Sequence, residues 1–222
     1  LAESLTGRVE LEHLSENNFG SLLPARGYFH LKSVIDFSAA LLILPVVLPL
    51  MLFIAIAIRF DTPGMALFAQ ARVGHAGRRI HVYKFRTMTR IEPVASRKAA
   101  ITSEDDHRIT RVGRVLRKLR LDELPQVMNI LKGEMSWIGP RPEAQVLSEW
   151  YTSELPFYRY RHVVKPGISG WAQVNQGHVV DVEDVHRKLQ YDFYYIKYFS
   201  PFLDLLIVFR TIKTMLTGFG SR

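Results

Sequence analysis

One stretch constrains this chain more than any other. Phe37 to Ile58, FSAALLILPVVLPLMLFIAIAI, holds 22 residues and no charge. As a straight helix it would be about 33 Å long, enough to cross the hydrocarbon core of a bilayer. A cleaved secretory signal does not fit: the run does not begin the chain, and Arg59-Phe60-Asp61 follows it without a small-residue cleavage site. A buried core helix fits poorly too, because such helices carry a polar stripe. Pro45 and Pro49 sit in the middle, each removing a backbone donor and crowding the preceding turn. Four apart, they open one side of the helix, so a sharp bend is expected there. Each half is then too short to span.

Charge points the same way. The whole chain carries a net +8, but residues 1–31 sum to −2 and the part from Arg59 onward to +10. Lys32 flanks one end of the apolar stretch and Arg59 the other. Basic flanks stay on the cytoplasmic face, so both ends want the same side. The expectation is a re-entrant membrane element over 31–60, helix-break-helix, with a simple span as the alternative. Residues 1–30 read as an acidic linker or leader, with a loop at Ser15-Glu16-Asn17-Asn18-Phe19-Gly20, and the Leu at position 1 suits a piece of a longer protein. Residues 61–222 read as the working domain. The chain has no cysteine, which excludes a disulfide scaffold, a thiolate metal site and a cysteine nucleophile. Its basic excess alone would suit a nucleic-acid-binding module, but the uncharged stretch argues against one.

After the apolar stretch, Asp61-Thr62-Pro63-Gly64 makes a turn. Ala66–Gln70 and Arg79–Phe85 read as short strands joined by Val73-Gly74-His75-Ala76-Gly77. Residues 90–108 are polar and read as a loop. Arg111 to Leu119 is a basic amphipathic helix with Val112, Val115, Leu116 and Leu119 on one face, suited to an anionic membrane surface or a phosphate-rich ligand. Leu121 to Gly133 reads as a helix with Asp122 as N-cap, Pro125 in the first turn, Leu124, Val127, Met128 and Leu131 inward, and Gly133 as its stop. Adjacent carboxylates, Asp122 and Glu123, at a helix start beside phosphates would suit Mg²⁺, a hard ion that prefers oxygen; the alternative is a plain cap. Arg141, between Pro140 and Pro142, is a rigidly placed forked donor suited to phosphate. A second glycine-rich turn, Lys165 to Asn175, starts on a basic residue. Tyr191, Phe193, Tyr194, Tyr195, Tyr198 and Phe199 cluster before Ser200-Pro201. The apolar Phe202–Phe209 after it is too short to span, and reads as an interfacial helix with an ordinary core helix as competitor.

Four motifs in order, Lys84-Phe85-Arg86-Thr87-Met88, Leu121-Asp122-Glu123-Leu124-Pro125-Gln126, Met135-Ser136-Trp137-Ile138-Gly139-Pro140-Arg141-Pro142 and Lys165-Pro166-Gly167-Ile168-Ser169-Gly170, lie behind the proline-broken stretch. Together they resemble the bacterial sugar transferases, the monotopic polyprenyl-phosphate phosphoglycosyl transferases, over roughly residues 31–217. The resemblance implies a mixed α/β, mainly helical monotopic membrane protein. It implies transfer of a sugar 1-phosphate from a UDP-sugar to a polyprenyl (undecaprenyl) phosphate with release of UMP, an initiating step of exopolysaccharide, capsule, O-antigen or glycoprotein glycan assembly. Asp122 would be the nucleophile, carrying a covalent phospho-sugar. Glu123 would orient it or share Mg²⁺ with it. Lys84, Arg86, Arg117, Arg141 and Lys165 would contact substrate phosphates. The implied setting is the cytoplasmic face of a bacterial inner membrane, among phospholipids, without nucleic acid, with a homodimer allowed. The competing reading is a non-catalytic membrane scaffold of the same fold, against which the intact Asp-Glu pair stands. Two departures from the family pattern are Leu48 with the additional Pro45, and Gln176 before Gly177-His178.

Overall fold

The computed structural model describes residues 3, 6–11, 26–89, 107–176 and 182–217. The proposed loop at 15–20, all of the 90–108 loop except its last two residues, and Gly177-His178 lie outside them. The long apolar stretch forms the middle of one helix, α1 (Arg26–Asp61), which continues through Pro45 and Pro49 without interruption. Both prolines lie on its exposed side, so the carbonyls they leave without a donor do not face the packed stripe. Only 17% of its apolar window is buried, which rules against a core helix of a soluble protein. One face packs along its length: Ala40 and Val47 against Ile80, Val82, Val127, Ile130 and Met135, then Ile54 and Ile58 against Phe85 and Leu116. The other faces leave Leu42, Val46, Leu52 and Phe53 exposed.

Strands β1 (Leu67–Val73) and β2 (Arg79–Phe85) pair antiparallel, Leu67 opposite Phe85 and Val73 opposite Arg79. The basic helix α2 (Arg111–Lys118) starts on Thr110, whose side chain accepts from the Gly113 amide. Its expected inward face is only half realised. Leu116 is buried, whereas Val115 and Leu119 are exposed beside the basic residues, because only one edge of this short helix meets α1. A 3-10 turn (Leu121–Gln126) then leads into α3 (Val127–Leu131). Strands β3 (Ser136–Ile138) and β4 (Gly167–Ser169) pair in parallel, with α4 (Gln145–Glu154) and a 3-10 turn (Tyr158–Val163) between them. Helices α5 (Trp171–Asn175), α6 (Val182–Lys197) and α7 (Pro201–Thr217) complete the chain.

The aromatic cluster is core rather than interface. Tyr191, Phe193, Tyr195 and Phe199 are buried with Leu147, Tyr158 and Trp171, since α6 presents that run inward. The exposed apolar face belongs to α7, which is 17 residues long rather than eight: Phe202 (77% exposed), Leu205, Phe209 (62%) and Ile212 recur at helical spacing. Beyond the apolar run the helix continues with the Thr211 and Thr214 hydroxyls bonded back to the Ile207 and Arg210 carbonyls. The described front of the N-terminal piece, residues 6–11, packs on the domain. Val9 and Leu11 are buried in the same core, and the Gly7 carbonyl accepts from the Trp171 indole at 2.8 Å.

Candidate active site

Period-two alternation puts Lys84 on the face of β2 that also carries Ile80 and Val82. This aims its ammonium at the 121–126 turn. That turn is where local structure departs most from expectation. Asp122 is not an N-cap: the chain leaves α2 through Arg120 in the left-handed region (φ 54°), and Leu121–Gln126 then winds as a 3-10 turn. Pro125 disfavours α conformation at Leu124, so the tighter winding wins and α3 begins only at Val127. Met128 is correspondingly 38% exposed, while Val127, Asn129 and Ile130 face inward. Gly133 does end the helix, at φ +74°.

Asn129 fastens this turn to the strand. Its Oδ1 accepts from the Tyr83 amide at 3.1 Å, and its Nδ2 donates to the His81 carbonyl and to Glu134, both at 2.7 Å. Sequence reading passed over it, because a lone Asn in a short helix carries no pattern.

Glu123 is buried and its Oε1 receives two cations, Arg141 Nη2 at 2.5 Å and Lys84 Nζ at 3.3 Å. Burial pushes the Glu123 carboxyl upward, but the two cations outweigh burial and hold it far below the ordinary carboxylate range. Asp122 stands next to it, partly exposed. Burial and then the Glu123 charge raise the Asp122 pKa, against the opposing pull of Lys84, Arg141 and Arg117. Burial lowers Lys84, which Arg141 and Arg72 reinforce and Glu123 opposes. Two adjacent carboxylates thus receive opposite environments. One is a fixed, neutralised anion. The other is accessible and basic for an aspartate, the split by which paired carboxylates take different roles.

The two glycine-proline loops lie side by side. The Gly139 amide donates to Ser169 O at 2.8 Å and the Gly167 amide to Pro140 O at 3.0 Å. A Cβ at Gly139 would fall 2.4 Å from Lys165 O, so only glycine admits this approach. The pairing fixes the loop that carries Arg141. Behind it, Arg161 Nη2 donates to Arg141 O at 3.0 Å and to Asp192 at 2.7 Å, both side chains being buried. Neither residue was foreseen; the only sequence signal was a charged Asp192 inside an aromatic run.

Of the expected phosphate ligands, Lys84 and Arg141 therefore meet at Glu123. Arg117 Nε donates to the Thr87 hydroxyl at 3.0 Å, and its charge acts on Asp122. Arg86 is placed otherwise. It is buried and binds the turn after α1, donating to Pro63 O at 2.6 Å and to Thr62 O at 2.7 Å. Lys165 lies apart from the acidic pair, its Nζ 6.0 Å from the Phe29 ring at the start of α1. Among the described residues no group of three His, Cys, Asp or Glu gathers for a metal. With Glu123 Oε1 already holding two cations, the protein's donor set fits a divalent ion held by Asp122 and the phosphates of a ligand, the usual manner of Mg²⁺.

The site thus sets a partly exposed carboxylate in a cationic cradle beside a helix long and apolar enough to cross a membrane. The family model described as bacterial sugar transferase matches residues 27–218, and the chain belongs to that family. An Aeromonas hydrophila UDP-N-acetylgalactosamine-undecaprenyl-phosphate N-acetylgalactosaminephosphotransferase is 51% identical over the whole chain and 52% of its own length. UDP-glucose:undecaprenyl-phosphate glucose-1-phosphate transferases of Escherichia coli and Caulobacter vibrioides are each 40% identical, over 82% and 84% of this chain and 39% and 70% of their own. The chain thus spans about half or less of the first two relatives.

Proposed function

We propose that this chain transfers a sugar 1-phosphate from a UDP-sugar to polyprenyl phosphate and releases UMP. The observation that carries the reading is the accessible Asp122 next to a Glu123 already neutralised by Lys84 and Arg141. A carboxylate oxygen of Asp122 attacks the β-phosphorus. The bond from that phosphorus to the bridging oxygen breaks, and its electron pair leaves with UMP. A phosphate oxygen of the lipid then attacks the same phosphorus, the bond to Asp122 breaks, and the polyprenyl diphosphate sugar departs with the carboxylate restored. Lys84, Arg117 and Arg141 stabilise the charge that builds on the phosphates. Mg²⁺ held by Asp122 and the diphosphate would supply further charge neutralisation.

The lipid phosphate lies in the headgroup plane, so the site must too. One face of α1 meets the domain from Ala40 to Ile58, which supports both helix ends lying on the domain's side. In this reading α1 enters the bilayer, bends at Pro45 and Pro49 and returns. The α7 face with Phe202 and Phe209, and Val115 and Leu119 among the α2 cations, rest at the interface on the cytoplasmic side of a bacterial inner membrane.

The test is UMP release from a panel of UDP-sugars in the presence and absence of undecaprenyl phosphate. UDP-N-acetylgalactosamine comes first, on the Aeromonas relative's name, with UDP-glucose against it. Lipid-dependent UMP is the expected product; UDP instead would mean transfer of the sugar without its phosphate.

A further inference from the structure

A buried polar knot joins α1, α6 and α7 and takes no part in the chemistry above. Asp204 of α7 accepts at Oδ2 from the Tyr28 hydroxyl (2.5 Å) and the Lys32 ammonium (2.7 Å), both on α1. Its Oδ1 accepts from the Tyr195 hydroxyl of α6 at 2.8 Å. Lys32 also lies 3.7 Å from Asp36, whose carbonyl accepts from the Trp137 indole at 3.1 Å. Tyr195 and Trp137 tie the knot to β3, since the Tyr195 hydroxyl also lies 3.1 Å from Ile138 O. The loop after β3 carries Arg141, so the knot and the acidic pair share one rigid connection.

Burying this ion pair adds little stability, because apolar side chains of equal size would do as well. What it adds is direction. Three donors from two helices converge on two oxygens, which fixes the angle and register of α1 against α7. These two helices carry the largest exposed apolar faces of the described residues, Leu42, Val46 and Phe53 on one, Phe202, Leu205 and Phe209 on the other.

We propose that the Tyr28–Lys32–Asp204–Tyr195 knot is a positioning device: it locks the two membrane-facing helices in one attitude and thereby holds Asp122 at the height of the acceptor lipid's phosphate. The inference rests on the transferase reading above. A UDP-sugar arrives from water and reaches the site at any attitude. A lipid phosphate is confined to the headgroup plane, so a tilt separates it from Asp122. Loosening the knot therefore impairs the second half-reaction and spares the first.

The experiment uses the full chain in vesicles of phosphatidylethanolamine and phosphatidylglycerol. Asp204→Asn removes the ion pair. The double variant Lys32→Met/Asp204→Leu removes both charges, so that neither is stranded. The first half-reaction is read as exchange of labelled UMP into the UDP-sugar without acceptor, the second as KM for undecaprenyl phosphate. The expected result is exchange within about twofold of wild type and a lipid KM raised about tenfold or more. A short-chain, water-soluble prenyl phosphate, free of the headgroup plane, should show no such rise. An unchanged lipid KM in a folded variant overturns the proposal, as does a parallel loss of exchange and turnover, an equal rise in KM for the soluble acceptor, or failure of both variants to fold. A wild-type protein without UMP exchange ends the transferase reading itself, and the positioning role with it.

Discussion

Asp122→Asn is expected to lower UMP release by at least about 10³-fold while leaving thermal unfolding close to wild type. The asparagine keeps size and polarity but cannot form the acyl phosphate on which both half-reactions of the proposed route depend. Asp122 is only half-buried and is not an N-cap, so neither a fully buried charge nor a helix terminus is lost with it. The measurement is UMP formed per enzyme over time, with UMP exchange in the absence of lipid as the sharper readout. Exchange at wild-type rates in Asp122→Asn would remove the residue from the nucleophile's role. The wild-type activity should also fall off on the acid side at a pH above the ordinary aspartate value of 3.8, because burial and Glu123 raise the Asp122 pKa and only the ionised form attacks.

Glu123→Gln is expected to damage stability and activity together. It leaves Lys84 and Arg141 without their shared anion, at a cost of about 3 kcal/mol, the low end for a broken buried pair because Arg141 keeps one third of its side chain exposed. Activity should drop roughly 10²-fold as the two cations lose their fixed places over the phosphates. The pH dependence gives a signed check. Glu123 has a folded pKa below its ordinary 4.5, so its contribution is present above that value and fades as pH falls toward the folded one. Glu123→Gln should therefore flatten the loss of stability in acid. It should also move the acid limb of activity to lower pH, since the charge that raises Asp122 is gone and two cations are released to act on it. Denaturant unfolding and UMP release across pH 3–8 would read both; an acid limb that moves upward contradicts the coupling.

Several parts of the site were legible from residue order alone. The Asp122-Glu123 pair, Lys84 at the end of an alternating strand and Arg141 between two prolines are local patterns, and the fold brings the four side chains to one place. The long apolar helix was legible for the same reason, since an uncharged run of that length is visible in composition alone. Errors fell where a neighbour in space overrode a local preference. Asp122 reads as a cap in sequence, but the left-handed Arg120 and the proline at 125 wind a 3-10 turn there instead. Tyrosines 191 and 195 form only a dense aromatic run in the sequence, and α6 turns them into the core. Arg86 reads as a phosphate ligand, and the structure places its guanidinium on the 62–63 carbonyls.

By itself, then, the sequence determined that a helix long and apolar enough for a membrane precedes a basic domain carrying an adjacent Asp-Glu pair. These are properties of composition and short-range spacing. Only the tertiary structure decided that Glu123 is neutralised by Lys84 and Arg141, 39 and 18 residues away, and that Asp204 reaches back 172 residues to Lys32. Ion pairs of that separation leave no periodicity in a chain. They arise when packed helices and paired loops bring distant charges into a medium that penalises each of them alone.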